Sequence, residues 1–187
     1  MRNSFISAII LLGLYQHPRA EVAIGPNFRI YPSNATQSEV FITVHPSNPD
    51  ILFASANTIT FLPFFISEGI YVSIDGGISW FGSDTCKGEI IGLHGGDPGI
   101  TIDKDGTFII TRLVQDPFSG LFSHYSTDNG LTWSDQNTIS TYDLERAAVT
   151  TDGFPASPNY GRSYAMWVRF APPYPVFFTY TDSGGRS

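Results

Sequence analysis

The chain has 187 residues, of which 42% are hydrophobic, 14% aromatic and only 14% charged, with 18 glycines and 13 prolines. That balance agrees with a soluble all-β protein in which the glycines and prolines serve many turns. The formal net charge of −7 argues against a nucleic-acid backbone or an anionic membrane surface as partner, and the lone Cys86 excludes an internal disulfide.

The first predicted element is an export leader over residues 1–20. Arg2 supplies a basic start, residues 5–15 an apolar run too short to span a bilayer, and Ala20 a small residue at the cleavage position. Arg2 and Arg19 fall inside it together with no acid, so the remaining chain, 21–187, holds 8 basic against 17 acidic residues. A secreted, periplasmic or cell-surface protein is expected, with no membrane insertion once the leader is gone.

Beyond the leader the chain repeats. Residues 39–44 read as a strand, 45–50 as a turn and 51–56 as a second strand. The same succession recurs as 97–102, 103–106 and 107–113, and more loosely as 145–150, 151–162 and 163–168. Asp103-Lys104-Asp105-Gly106 reads as a hairpin turn, since it lacks the further ligands of a calcium loop. A third strand is expected in each period over 69–73, 121–126 and 176–181, and a fourth from Ile78 and from Leu131.

Between the third and fourth strands stands the most specific phrase of the chain. It reads Ser73-Ile74-Asp75-Gly76-Gly77-Ile78-Ser79-Trp80, then Ser126-Thr127-Asp128-Asn129-Gly130-Leu131-Thr132-Trp133, then in part Tyr180-Thr181-Asp182-Ser183-Gly184-Gly185. The aspartates are 53 and 54 residues apart, a constant period that marks a repeat architecture. Asp can accept hydrogen bonds from backbone N–H groups just after it, Gly supplies positive φ, and Trp brings an apolar face to the strand that follows.

These phrases resemble the Asp-box, or bacterial neuraminidase repeat, of pattern Ser-x-Asp-x-Gly-x-x-Trp. The resemblance implies an all-β fold, a sialidase-like β-propeller of four-stranded antiparallel blades, of which about three are present, over roughly 39–90, 97–143 and 145–187. In such a fold the Asp-box is structural. The opposite rim, with the starts of the first strands, carries the ligand site.

That rim collects an acid at the same place three times, Glu39, Asp97 and Glu145. They either satisfy backbone N–H groups of neighbouring blades or face one pocket where like charges raise a carboxyl pKa. The loops expected beside them are 57–68, 112–120 and 169–175. By resemblance to sialidases, Asp97 is the acid/base candidate, next to Gly95 and Gly96. Arg146, Arg112 and Arg29 are the substrate-binding candidates together with Glu145 and Glu39, Arg29 lying in Phe28-Arg29-Ile30-Tyr31-Pro32. The family's Tyr nucleophile has no counterpart assigned in this segment.

No pair of histidines has metal-ligand spacing and no cofactor is called for. The expected function is exo-α-sialidase-type glycoside hydrolysis on a glycan or glycoconjugate. A non-catalytic Asp-box propeller that binds glycan or protein is the alternative, and the sequence is silent on oligomeric state.

Overall fold

A computed structural model of the protein describes residues 24–62, 64–86, 94–114 and 119–186. The leader expected over residues 1–20 lies outside the described residues. Among those residues every helix or strand is a strand, and none forms a helix long and apolar enough to cross a membrane.

Three antiparallel sheets follow one another along the chain, each a simple meander. The first joins β1 (Thr36–His45), β2 (Asn48–Phe61), β3 (Phe64–Ser73) and β4 (Phe81–Ser83). The second joins β5 (His94–Ile102), β6 (Phe108–Val114), β7 (Gly120–Ser126) and β8 (Asn137–Ser140). The third holds β9 (Leu144–Thr151), β10 (Ser163–Arg169) and β11 (Val176–Thr181). The first, second and third strands expected from the sequence fall within these elements, except that β6 starts at Phe108 rather than at Thr107.

Expectations for the fourth strands and for one loop need correction. The fourth strands begin at Phe81 and Asn137 rather than at Ile78 and Leu131. The reason lies in the indoles: Trp80 Nε1 donates to the Gly77 carbonyl and Trp133 Nε1 to the Gly130 carbonyl, both at 3.1 Å, so each ring folds back over its turn. The stretch 57–68, expected as a loop, is instead paired β2 and β3 backbone, with Asn57 opposite Glu68 and Phe61 opposite Phe64.

The first two Ser-x-Asp-x-Gly turns are chemical copies. Ser73 Oγ accepts from the Gly77 N–H at 2.8 Å, and Asp75 accepts from the Ser79 N–H at 2.9 Å and from the Ser79 hydroxyl. Ser126 and Asp128 do the same for Gly130 and Thr132, both at 2.9 Å. The bonds from Ser79 hold the Asp75 carboxyl down at about 2, and those from Thr132 hold Asp128 below the usual carboxylate range.

The third turn sits one residue later than the sequence suggests. Its left-handed glycines, Gly184 and Gly185, match Gly76 and Gly77 and also Asn129 and Gly130. That match places Thr181 where Ser73 stands and Ser183 where Asp75 stands, and the Ser183 N–H bonds Thr181 Oγ1 accordingly. Positive φ fixes the frame, because glycine takes it without a Cβ clash. Asp182 is thereby turned out to meet the Arg162 guanidinium at 2.7 and 2.9 Å. Asp128→Ala is therefore expected to lower stability by roughly 1 kcal/mol, about 2–4 °C in Tm. Asp182→Ala, which cuts an exposed ion pair, should shift Tm much less; equal shifts in a thermal melt would reject the one-residue offset.

The sheets pack face on face in chain order. Phe53, Ile70 and Val72 of the first meet Ile100, Ile102, Phe108 and Ile110 of the second, with Trp133 against them. Leu113, Leu121 and Ile139 of the second meet Ala147, Val149, Ala165 and Trp167 of the third. Each later turn docks on the sheet before it: a Cβ at Gly130 would lie 3.2 Å from Val72, and one at Gly185 3.5 Å from Ile109. The first strands β1, β5 and β9 lie side by side. This places the starts of those three strands at one end of a common edge.

Candidate functional site

Close to its start each first strand carries a β-bulge. The ladder slips between Ser38 and Phe41 in β1, between Gly96 and Gly99 in β5, and at Arg146 in β9, opposite Trp167 and Val168. In every case the bulge holds a non-glycine residue in the left-handed region: Glu39 at φ 52°, Asp97 at φ 53° and Arg146 at φ 33°. Such a conformation costs on the order of 1–3 kcal/mol and persists only where the surroundings impose it. Three of them at matching places re-aim three charged side chains.

The side chains meet. Asp97 is partly buried and lies within hydrogen-bonding reach of Glu39, while the charge of Glu145 reaches it from β9. Burial is the first cause that raises its carboxyl to about 6, the Glu39 bond the second, and a bond from Asn57 opposes them. Glu39 is in turn held by Arg146 Nη2 at 2.7 Å, and that guanidinium lies 5.8 Å above the centre of the Phe41 ring. A carboxyl that titrates near neutrality, paired with a second carboxylate, can hold and release one proton at working pH.

Gly96 is required beside Asp97. Its φ is +80°, and a Cβ there would come within 2.6 Å of Asn57 Oδ1. That oxygen accepts the Asp97 N–H at 2.6 Å. Of the two glycines before Asp97, Gly96 thus reflects close approach of the first sheet, whereas a Cβ at Gly95 would press on Leu113 of the neighbouring strand β6 at 3.0 Å.

Of the residues expected at the site, Glu39, Asp97, Glu145 and Arg146 are brought together, whereas Arg112 and Arg29 stand outside the group. Arg112 belongs to β6, not to a loop, and shares its inward face with Ile110. It is fully buried, and its guanidinium bonds His124 at 3.1 Å, Gln136 at 2.5 Å and the Leu113 carbonyl at 3.2 Å. Arg29 is exposed and donates to the Ser33 carbonyl at 2.6 Å, while Ile30 and Tyr31 next to it cover the far face of the first sheet. Among the described residues no group of three His, Cys, Asp or Glu is placed to hold a metal ion.

The fold and this group define an all-β protein of stacked antiparallel meanders with a bulged acidic cluster at one end of their shared edge. No family model matches the chain, and no curated protein matches it. In fold it is similar to the crystal structure of a protein of unknown function from Dyadobacter fermentans DSM 18053, with a TM-score of 0.55 at 10% identity. That likeness covers 73% of this chain and 36% of the other, so the chain spans about a third of that protein.

Proposed function

We propose that the three sheets are blades of a sialidase-like Asp-box propeller and that the bulge cluster is the acid/base end of a glycan site, used in exo-α-sialidase-type glycoside hydrolysis. The observation that carries this reading is the meeting of three bulged strand starts, which sets the partly buried Asp97 beside Glu39 and under the charge of Glu145 and so lifts its carboxyl to about 6. At that value about half of the carboxyls hold a proton at pH 6 and can pass it to a departing glycosidic oxygen. Glu39 steadies the proton, and Glu145 disfavours the ionised form. Arg146 could grip a sugar carboxylate with two parallel N–H bonds, but it must first leave Glu39. The propeller reading draws on the side-by-side first strands and on the turn that each sheet lays on its predecessor. With export, the site would work outside the cytoplasm on a glycan or glycoconjugate.

Hydrolysis of an aryl sialoside tests the reading. Asp97→Asn should lower kcat by roughly 10²-fold or more with Tm nearly unchanged, and wild-type kcat/KM should fall as pH rises through about 6, as a required acid loses its proton. Equal rates for the two proteins would remove Asp97 from the chemistry.

A second reading, a propeller that binds glycan or protein without turnover, is favoured by the arginines. Arg146 is engaged by Glu39, and Arg112 is buried. Glycan binding by wild-type protein with no hydrolysis of any sialoside would select it.

A further inference from the structure

We infer that Glu68, together with Asn57, is a positioning residue for Asp97, gripping the β5 bulge from the neighbouring sheet. The two are opposite one another on β3 and β2, and both are buried. Each reaches out of the first sheet to the start of β5. Glu68 Oε1 accepts the Gly96 N–H at 3.0 Å, and Glu68 Oε2 accepts from His94 Nδ1. Asn57 Oδ1 accepts the next N–H, that of Asp97, and Asn57 Nδ2 donates to Asp97 Oδ1 at 3.4 Å. One sheet thus holds the side chain of His94 and two consecutive backbone N–H groups on the other.

The fold alone does not ask for this polar pair. In the second sheet the ladder places Leu113 opposite Leu121 where the first has Asn57 opposite Glu68, since Ser38 pairs with Asn57 as Gly96 pairs with Leu113. Those leucines pack under the third sheet's bulge, beside Leu144 and Ala147, and that bulge carries Arg146. Apolar side chains therefore suffice to seat a bulged first strand. The Asn–Glu pair accompanies the one bulge that presents an aspartate. A buried glutamate is costly unless its oxygens are bonded and its charge is balanced. Here both oxygens are used, His94 lies against the carboxylate, and the buried Arg112 guanidinium feels its charge.

The role assigned to the grip is to hold the Asp97 carboxyl at Glu39 on β1 and within the field of Glu145 on β9, with Arg146 behind Glu39. This inference rests on the proposed chemistry only for its effect on turnover; the titration of Asp97 can be read without a substrate. The test is carbon-detected NMR titration of Asp97 in the full chain. The double variant Asn57→Leu/Glu68→Leu copies the arrangement already present under the third sheet. It is expected to fold and to release Asp97 into water and away from Glu39; relief of these two larger causes outweighs loss of the Asn57 bond, which by itself lowers the carboxyl, so the titration midpoint falls by about 1 pH unit or more, toward the ordinary range near 3.9. Glu68→Gln keeps shape and bulk and should move the midpoint in the same direction. On an active protein either change should lower kcat more than it raises KM. A midpoint that stays near 6 in the folded double variant overturns the inference, and so does an unchanged midpoint in Glu68→Gln should the double variant not fold. Absence of hydrolysis in the wild type would sink the hydrolase reading and leave this result standing.

Discussion

Phe108→Ala is expected to cost about 3–5 kcal/mol, which in a chain of this size is roughly 6–20 °C in Tm. Phe108 opens β6 with no exposed surface and stacks on Phe53 at 4.9 Å between ring centres, the planes 19° apart. Phe53 in turn meets Trp133 at 5.7 Å. The three rings fill the layer between the first and second sheets, among Ile100, Ile102, Ile110 and Val72. Removing the Phe108 ring leaves a void that the sheets cannot close, because the β5–β6–β7 ladder fixes the backbone on both sides of residue 108. Met166→Ala on the outer face of the third sheet is the contrast. That side chain is 50% exposed, so the change should stay within about 0.5 kcal/mol. Urea denaturation of both variants measures the difference, and a loss below about 1 kcal/mol for Phe108→Ala would mean that the first two sheets do not share one core.

Much of this layering could be read in the sequence because a β repeat writes its period twice, in the alternation of strands and in the chemistry of its turns. Asp75 and Asp128 were legible as turn residues from the Ser and Gly around them. Asp182 was misread for a physical reason: Tyr180-Thr181-Asp182 keeps only the Asp of a Ser-x-Asp frame and Thr181-Asp182-Ser183 only the hydroxyl, and the positions of the left-handed glycines decide between them. At the candidate site, an acid at the start of each first strand was visible, and so were the two glycines before Asp97. The bulges were not, since Glu39 and Arg146 carry no glycine to announce a positive φ. Asn57 and Glu68 are 40 and 28 residues from their partners Asp97 and Gly96. Their signal was a polar pair standing where strands need apolar side chains, and reading 57–68 as a loop concealed it. Arg112 shows the same difficulty. In Phe-Ile-Ile-Thr-Arg-Leu-Val the alternation puts Arg112 inside with Ile110, and a buried arginine becomes credible only once His124 and Gln136 are seen to receive it.

That buried arginine sets the second large expectation, a loss of stability on acidification through the range in which histidine ordinarily titrates. His124 has no exposed surface, donates from Nδ1 to the Ser134 carbonyl at 2.9 Å, and accepts from Arg112 Nε at Nε2, 3.1 Å away. A carbonyl can only accept, so the proton sits on Nδ1 and the ring is neutral. Burial is the main reason its pKa falls from 6.5 to about 4; the bond to the Ser134 carbonyl opposes the fall, and the charge of Arg112 adds to it. Between those values the unfolded chain binds a proton that the folded one refuses, so stability falls as pH drops from about 6.5 to about 4, by on the order of 3 kcal/mol. Asp97 acts in the opposite sense. Its raised pKa lets the folded protein hold a proton from about pH 6 downward, which adds stability over part of the same range. The bonded turn aspartates enter below that range, where Asp75 is protonated only near 2. Urea denaturation at several pH values from 7 to 4.5 separates the two opposing groups. His124→Gln should flatten the acid loss, because an amide can still donate to Ser134 or accept from Arg112 and gains no charge. Asp97→Asn should steepen it. A wild-type stability that holds level down to pH 4.5, together with an unchanged profile in His124→Gln, would show that the ring takes up its proton at the same pH in the folded and the unfolded chain and that Arg112 is satisfied in some other way.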